Sequence, residues 1–532
     1  MMCDKYAVAA VIMLLLISCQ SQERYDIVIL NGTVYDGSGS GPQRADIGIV
    51  DEYIVKIGDL SNARSEVQID ATDLVVAPGF IDLHAHLEAI DKFPQCENLV
   101  RQGITTALGG PDGGGPWPFG TFLDSLAGRG VGINVAYLVG HNVIRKNVLG
   151  LEDREPTLTE LELMKSQVAQ AMDEGAFGIS TGLKYLPGAF SKTPEIIELS
   201  KVASRAGGFY TSHLRDEGLH IIESVREAIT IGEQADIPIV LTHHKIVGTP
   251  MWGSSRRTLA MVDSAREAGL DIMLDQYPYT ASRTGIGILI PAWAMEGGVE
   301  EFRKRIADRQ LYDSIRQQVV SNIINDRGGN DLRRITLSNV SWDTTLNERT
   351  LYDWCLIRKL EPTMSNGASL VLEAYSRGDT RCIFHAMEEG DVRRIMTHRY
   401  SAIATDGVLT EPGYAPAHPR AYGTFPRVLS KYVRQERILS MEEAIRKMTS
   451  LPAKRLGLPD RGLLHARYKA DIVIFDAETI EDKSTFSSPH QYPLGIKYVL
   501  INGKITVEND VQKKIMPGEV LFGPGRKQLT ND

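Results

Sequence analysis

Val75-Val76-Ala77-Pro78-Gly79-Phe80-Ile81-Asp82-Leu83-His84-Ala85-His86 is the stretch whose reading decides the fold. Side chains alternate along a strand, so His84 and His86 share a face, and two imidazoles at that spacing can close on one metal ion. The run therefore reads as a strand ending in a metal site, and the question is what the rest of the chain builds around it.

Further strand-like runs follow at 105–109, 134–140, 177–181, 208–213, 238–243, 271–277 and 401–406, which with 75–86 makes eight. Helix-like stretches lie between them, among them 158–174, 221–235 and 257–268. Strand-helix alternation implies parallel strands, and eight of them suggest a closed barrel. The interval 291–397 is too long for one connection and reads as an excursion on the seventh strand's loop, with helices over 300–324 and 348–359. Outside the barrel, short strand-like runs separated by Asn-Gly, Gly-Ser and Asp-Glu turns occupy 26–57, and the same texture returns in 470–475 and 496–504. The fold expected is α/β: a (β/α)8 TIM-like barrel over 75–456, inserted in a small β-sandwich that both termini form from 25–74 and 457–520, with a tail over 521–532.

Composition agrees with an enzyme of this size. The chain has 532 residues, 43% hydrophobic and 23% charged, and its 49 glycines suit many tight turns. A net charge of −9 without Lys/Arg runs argues against nucleic acid or another polyanion as partner. Lys5 and the apolar run 7–17 have the dimensions of a signal-peptide core, too short to span a bilayer. Leu16-Ile17-Ser18-Cys19 resembles a bacterial lipoprotein cleavage box, so 1–19 is expected to be removed up to a lipidated Cys19, with 20–24 as tether. That would hold the chain at a bacterial cell envelope, on the periplasmic or extracellular side, with the lipid as its only membrane contact. Cys96, Cys355 and Cys382 remain, an odd number that describes no disulfide framework.

Polar residues stand at the carboxyl ends of the strand-like runs, where barrel active sites lie. They are His84 and His86, His213 in Tyr210-Thr211-Ser212-His213, His243 in Leu241-Thr242-His243-His244-Lys245, and Asp406 in Ala404-Thr405-Asp406-Gly407. With these in order the chain resembles the metal-dependent amidohydrolase superfamily and, within it, the N-acyl-D-amino-acid deacylases (D-aminoacylases). The likeness runs over about 490 residues, 24–517, the length of a barrel with a small β-domain. It is carried further by Gly175-Ala176-Phe177-Gly178-Ile179-Ser180-Thr181-Gly182-Leu183, by Asp275-Gln276-Tyr277-Pro278-Tyr279 and by His418-Pro419-Arg420-Ala421-Tyr422-Gly423-Thr424-Phe425-Pro426.

The resemblance implies Zn²⁺, one or two ions, with His84 and His86 at one position, His213 and His243 at the other, and Asp406 both metal-adjacent and the general acid/base. A bound Zn²⁺ lowers the pKa of its water to about 7, and a carboxylate in reach can move the water proton to the departing amine. Strand parity puts Lys245 on the His243 face and turns His244 toward a helix. Many such deacylases carry a metal-ligating cysteine after the second strand; here Asp112 stands in its place, in a glycine-rich loop where a simple turn role is equally open. Lys184 is a second candidate, as the carbamylated lysine that related amidohydrolases use to bridge two metals, against the ordinary reading of a rim lysine. Lys245, Tyr277 and Arg420 match positions that bind the substrate's α-carboxylate; Tyr279 shares parity with Tyr277, and Arg215 and His141 lie near the same rim. The activity implied is hydrolysis of N-acyl-D-amino acids or small D-containing peptides, with a hydantoinase- or dihydroorotase-type cyclic amidase, or a binding protein that has lost metal, as the alternatives.

Overall fold

The computed structural model describes residues 24–414 and 418–527. The expected signal segment and Cys19 lie outside the described residues, and no described helix is long and apolar enough to cross a membrane.

The decisive stretch is divided at Gly79. Val75–Pro78 pairs with Thr33–Val34 on one side and with Ile472–Phe475 on the other, so it belongs to the sheet that unites the two ends of the chain. Phe80–Asp82 then pairs in parallel with Ile104–Gly109. The expected boundary at residue 75 is therefore four residues early. Glycine is required at the division because a Cβ at Gly79 would lie 2.2 Å from Thr105 Oγ1. The terminal sheet has nine strands, eight of them in one hydrogen-bonded path; Arg24–Val34 lies in that path, antiparallel to Gln43–Val50, and also pairs in parallel with the ninth, Arg64–Asp70, which branches off it. Its buried side holds Ile27, Ile29, Ile47, Ile49, Ile472, Ile474 and Leu500.

Outside the excursion, parallel pairing continues in chain order. Ile104–Gly109 pairs with Asn134–Tyr137. That segment continues as Val139–Gly140, which pairs with Gly178–Gly182, and Phe209–His213, Ile239–Leu241, Ile272–Gln276 and Ser401–Ile403 follow. Gly407–Val408, just beyond the last of these, pairs in parallel with Ala85–His86, next to the first. Amphipathic helices run between the strands. Leu158–Asp173 opens on a Thr157/Glu160 capping box, and Ile221–Ala235 buries Ile222, Val225, Ala228 and Ile231 on one side.

The excursion starts earlier than expected, at Ser282. It contributes an antiparallel sheet of Ser282–Gly285, Thr380–Phe384 and Ile335–Val340 and has a hydrophobic core of its own around Phe302, Ile315, Trp354 and Phe384. The single helix expected over 300–324 is two, Val299–Ala307 and Arg309–Asn322. Asp308 separates them because its carboxylate caps the second through the Gln310 and Leu311 N–H groups.

Candidate active site

Backbone hydrogen bonds aim His84, His243 and Asp406. Asp82 accepts the N–H of His84 at 3.1 Å and the N–H of Thr405 at 3.0 Å, while Asp406 N–H donates to the His84 carbonyl at 2.8 Å. One buried carboxylate thus fixes the ends of the first and last strands against each other. Asp275 does the same for His243, accepting its N–H at 2.5 Å. Burial raises both carboxyls, Asp82 and Asp275, to about 7. Three site residues, Asp112 (φ 55°), His243 (φ 37°) and Asp406 (φ 47°), sit in the left-handed region that non-glycine residues avoid.

The side chains converge on Asp112. His84, His86, Asp112 and Asp406 form one group whose ligand atoms lie within 4.8 Å of one another, and Asp112, His213 and His243 form a second. Asp112 Oδ1 is 3.5 Å from His84 Nε2 and 3.2 Å from His243 Nε2; Oδ2 is 3.8 Å from His86 Nε2 and 3.6 Å from His213 Nδ1. Asp406 Oδ1 lies 3.2 Å from His86 Nε2 and 3.7 Å from His84 Nε2. The donor set fits a metal. Both ring nitrogens of His84 are buried without a hydrogen bond, and a neutral imidazole so placed is costly unless a metal takes its one free lone pair. Electrostatics favours cations at the same point. Burial and Lys245 oppose protonation of His243, but Asp112 and Asp406 outweigh them and raise its pKa to about 9. Burial works against ionisation of Asp112 too, yet His243, His84 and His213 hold its carboxyl well below the usual range.

The cluster opens into a cavity of about 920 Å³ lined by Lys245, Arg420, Tyr185, Arg283 and other excursion residues such as Ile288 and Arg381. Lys245 and Arg420 flank the Tyr277 ring, their charged groups 5.6 and 4.6 Å from its centroid, and the Tyr277 hydroxyl is buried without a hydrogen bond. Arg420 Nη1 also pairs with Asp406 Oδ2 at 2.7 Å. With Arg420 as the largest opposing influence to burial, the Asp406 carboxyl is held far below its usual value.

An amidohydrolase family model matches residues 376–507. The N-acyl-D-glutamate deacylase of Alcaligenes xylosoxydans xylosoxydans is 36% identical over 94% of this chain and 97% of its own length. The D-aminoacylase of the same organism is 34% identical over 91% and 95%. The chain belongs to the N-acyl-D-amino-acid deacylase family of metal-dependent amidohydrolases. A solved structure agrees: N-acyl-D-glutamate deacylase from Bordetella bronchiseptica, complexed with zinc and a phosphonate mimic of the tetrahedral intermediate, superimposes with a TM-score of 0.81 at 30% identity, covering 94% of this chain and 100% of that one.

The structure also places the other residues named from the sequence of this deacylase-family chain, some of them away from the donor groups. Lys184 is outside both donor groups: its Nζ is 3.1 Å from Asp216 Oδ2 and 3.4 Å from Asp326 Oδ2. Burial disfavours that charge, but Asp326 and Asp216 outweigh it and raise the lysine's pKa, the opposite of what a carbamate-forming amine needs. The Tyr279 hydroxyl donates to Asp482 at 3.0 Å, away from Tyr277's cavity-side partners. Arg215 makes a two-pronged pair with Glu227 at 2.8 and 2.9 Å, and His141 is buried against Glu195 at 2.7 Å. His244 packs toward a helix, Nε2 to Thr258 Oγ1 at 2.9 Å. Cys96 is buried at the start of a short helix, Glu97–Val100, and burial pushes its thiol up to about 12. Two carboxylates passed unnoticed in the sequence: Glu88, 3.0 Å from His86 Nδ1, and Glu217, buried between Lys245 and Arg327.

Proposed function

We propose that this chain hydrolyses the amide of N-acyl-D-amino acids, or of small D-containing peptides, to a carboxylate and a free D-amino acid, using zinc. The observation that carries the reading is the convergence of two histidine pairs and Asp406 on Asp112, at the floor of a cavity that also presents Lys245 and Arg420. His84 and His86 would hold one position and His213 and His243 the other, with Asp112 a member of both donor groups. When bound, zinc supplies polarisation of the amide carbonyl and a water acidic enough to lose its proton near neutral pH.

The chain's own groups do the rest. Asp406, ionised and within 3.2 Å of His86 Nε2, accepts the water proton at Oδ1 and returns it to the departing nitrogen. Arg420 stays paired with Oδ2, so one carboxylate oxygen is occupied and the other is free for the proton. Lys245 as a point charge, Tyr277 as a neutral donor and Arg420 as a planar donor hold the substrate's α-carboxylate, which fixes the face that Cα presents. The excursion residues over the cavity, from Ser282 to Arg381, meet the acyl group and side chain. Lys184's ion pairs count against the cyclic-amidase alternative.

The architecture proposed is a (β/α)8 barrel closed through Ala85–His86 and Gly407–Val408, spanning 75–456 apart from the Val75–Pro78 strand, inserted in a β-sandwich of 25–74 and 457–520. The Leu16–Cys19 box supports a lipid anchor at a bacterial envelope. The decisive experiment is a matched panel of N-acetyl-D- and N-acetyl-L-amino acids with zinc-loaded protein. Turnover of the D series is expected, and an L preference overturns the assignment.

A further inference from the structure

Glu217 is the most heavily engaged charged group near the site that the hydrolytic reading leaves without a role. It follows His213 by four residues, is 3% exposed, and has a partner on every side. Oε1 lies 2.5 Å from Lys245 Nζ and 3.3 Å from His243 Nδ1. Oε2 lies 2.9 Å from Arg327 Nη2 and 3.7 Å from His213 Nε2. The nitrogens of these two imidazoles that face Glu217 are the ones turned away from Asp112, since His243 presents Nε2 and His213 presents Nδ1 to that carboxylate.

We infer that Glu217 is a positioning residue shared by both imidazoles of the Asp112/His213/His243 group, setting the metal affinity of that position alone. The inference rests on the zinc reading above. A neutral imidazole that gives one nitrogen's lone pair to a metal carries its proton on the other, and a carboxylate accepting that proton fixes the tautomer and ring orientation and makes the ligand more basic. The two oxygens face different rings: Oε1 faces His243 Nδ1, which Lys245 Nζ also approaches to 2.7 Å, and Oε2 faces His213 Nε2, a buried nitrogen that has no hydrogen bond. On its far side the carboxylate is paired with two cations, Lys245 through Oε1 and Arg327 through Oε2. Arg327 belongs to the excursion, on the π-helical turn Ile323–Arg327, and also donates to Ser282 Oγ at 3.1 Å. The inserted segment therefore clamps the carboxylate that orients the ligands. Glu217 makes no such contact with His84 or His86; among the described residues the carboxylate at His86 Nδ1 is Glu88, at 3.0 Å.

The test is a zinc titration against a chromophoric chelator on the purified full chain, wild type beside Glu217→Gln and Glu217→Asp. Wild type is expected to bind two equivalents. Glu217→Gln should weaken one of them about 10- to 100-fold and leave the other unchanged. Glu217→Asp, which keeps the charge one methylene short, should recover part of the loss. Cobalt-loaded Glu217→Gln should show an altered visible spectrum at the weakened position. Unchanged affinity at both positions with an unchanged cobalt spectrum, or an equal loss at both, overturns the inference. If Glu217→Gln does not fold, Glu217→Asp decides alone, because wild-type affinity at both positions overturns it equally. A wild type that binds no zinc sinks the hydrolase reading itself, which is a different result from wild type binding two ions and the variants matching it.

Discussion

Replacing Asp406 by asparagine removes a charge and little volume, and the structure predicts two separable losses. Asp406 and Arg420 are each only 5% exposed and meet at 2.7 Å. At an effective dielectric of about 20 that separation is worth about 6 kcal/mol of gross attraction, and breaking one side of a buried pair typically costs about 3–5 kcal/mol because the other charge is left uncompensated. The metal-free variant should therefore lose about 3 kcal/mol of unfolding free energy in urea. Turnover should fall independently of stability. A positioned general acid/base contributes about 10²–10⁴-fold, so zinc-loaded Asp406→Asn should hydrolyse N-acetyl-D substrates about 10³-fold more slowly, equivalent to about 4 kcal/mol of barrier. The double variant Asp406→Asn/Arg420→Met separates the two effects. Removing both charges should restore most of the lost stability, since no unpaired charge stays buried, and restore none of the turnover. Zinc content and unfolding are measured on the same preparations. Zinc-loaded Asp406→Asn with activity within tenfold of wild type would move the acid/base role to another group, and additive stability losses in the double variant would refute the pairing argument.

Asp112→Ala should lose at least one equivalent of zinc after dialysis, because both donor groups share that carboxylate, whereas Asp112→Cys should retain metal through a thiolate; elemental analysis showing full zinc in the alanine variant would remove Asp112 from the site. Lys447 tests the fold at a distance. Its Nζ is buried against the carbonyls of His398 and Ser401 (3.1 Å to the latter), and burial lowers its pKa from 10.5 to about 8. Between those values the unfolded chain holds the proton and the folded chain has lost it, so stability relative to Lys447→Met should rise as pH goes from about 8 to 10.5, by about 3 kcal/mol at most. Parallel urea midpoints for the two proteins across that range would show that the lysine is not desolvated as described.

The histidines were legible because strand ends in such a fold face one way, so that residue type at the end of an apolar run is informative by itself. Glu217 was not. Asp216-Glu217-Gly218 looks like an acidic surface turn, and nothing local separates its two acids. The structure sends Asp216 to Lys184 and to the N–H groups of Gly218 and His220, and turns Glu217 inward to Lys245 and Arg327. Arg327 is 110 residues away in an excursion whose sheet pairs Ser282–Gly285 with Thr380–Phe384, a long-range choice that no periodicity announces. At His243 the resemblance and strand parity point to the same ring, but the strand ends at Leu241, so parity does not reach it; its left-handed φ of 37°, held by Asp275, is what swings the ring toward Asp112 while His244 turns away.

Asp112 shows how two readings that looked exclusive can be one. As sequence, Asp112-Gly113 reads either as a turn or as a ligand, and Asp406-Gly407 repeats the same turn-forming dipeptide. Both aspartates adopt left-handed backbone, at φ 55° and 47°, a conformation that costs an L-residue about 1–2 kcal/mol and that glycine would take without strain. Relieving the strain with glycine would remove the carboxylates. Each turn is fastened from outside: Gly113 N–H donates to Ser180 Oγ at 3.1 Å, and Gly407 N–H to Thr405 Oγ1 at 3.0 Å, whose own hydroxyl goes to Asp82 at 2.5 Å. The turn is therefore the device that aims the carboxylate, and strain at three residues from separate strand ends is accepted at the one place where their side chains meet.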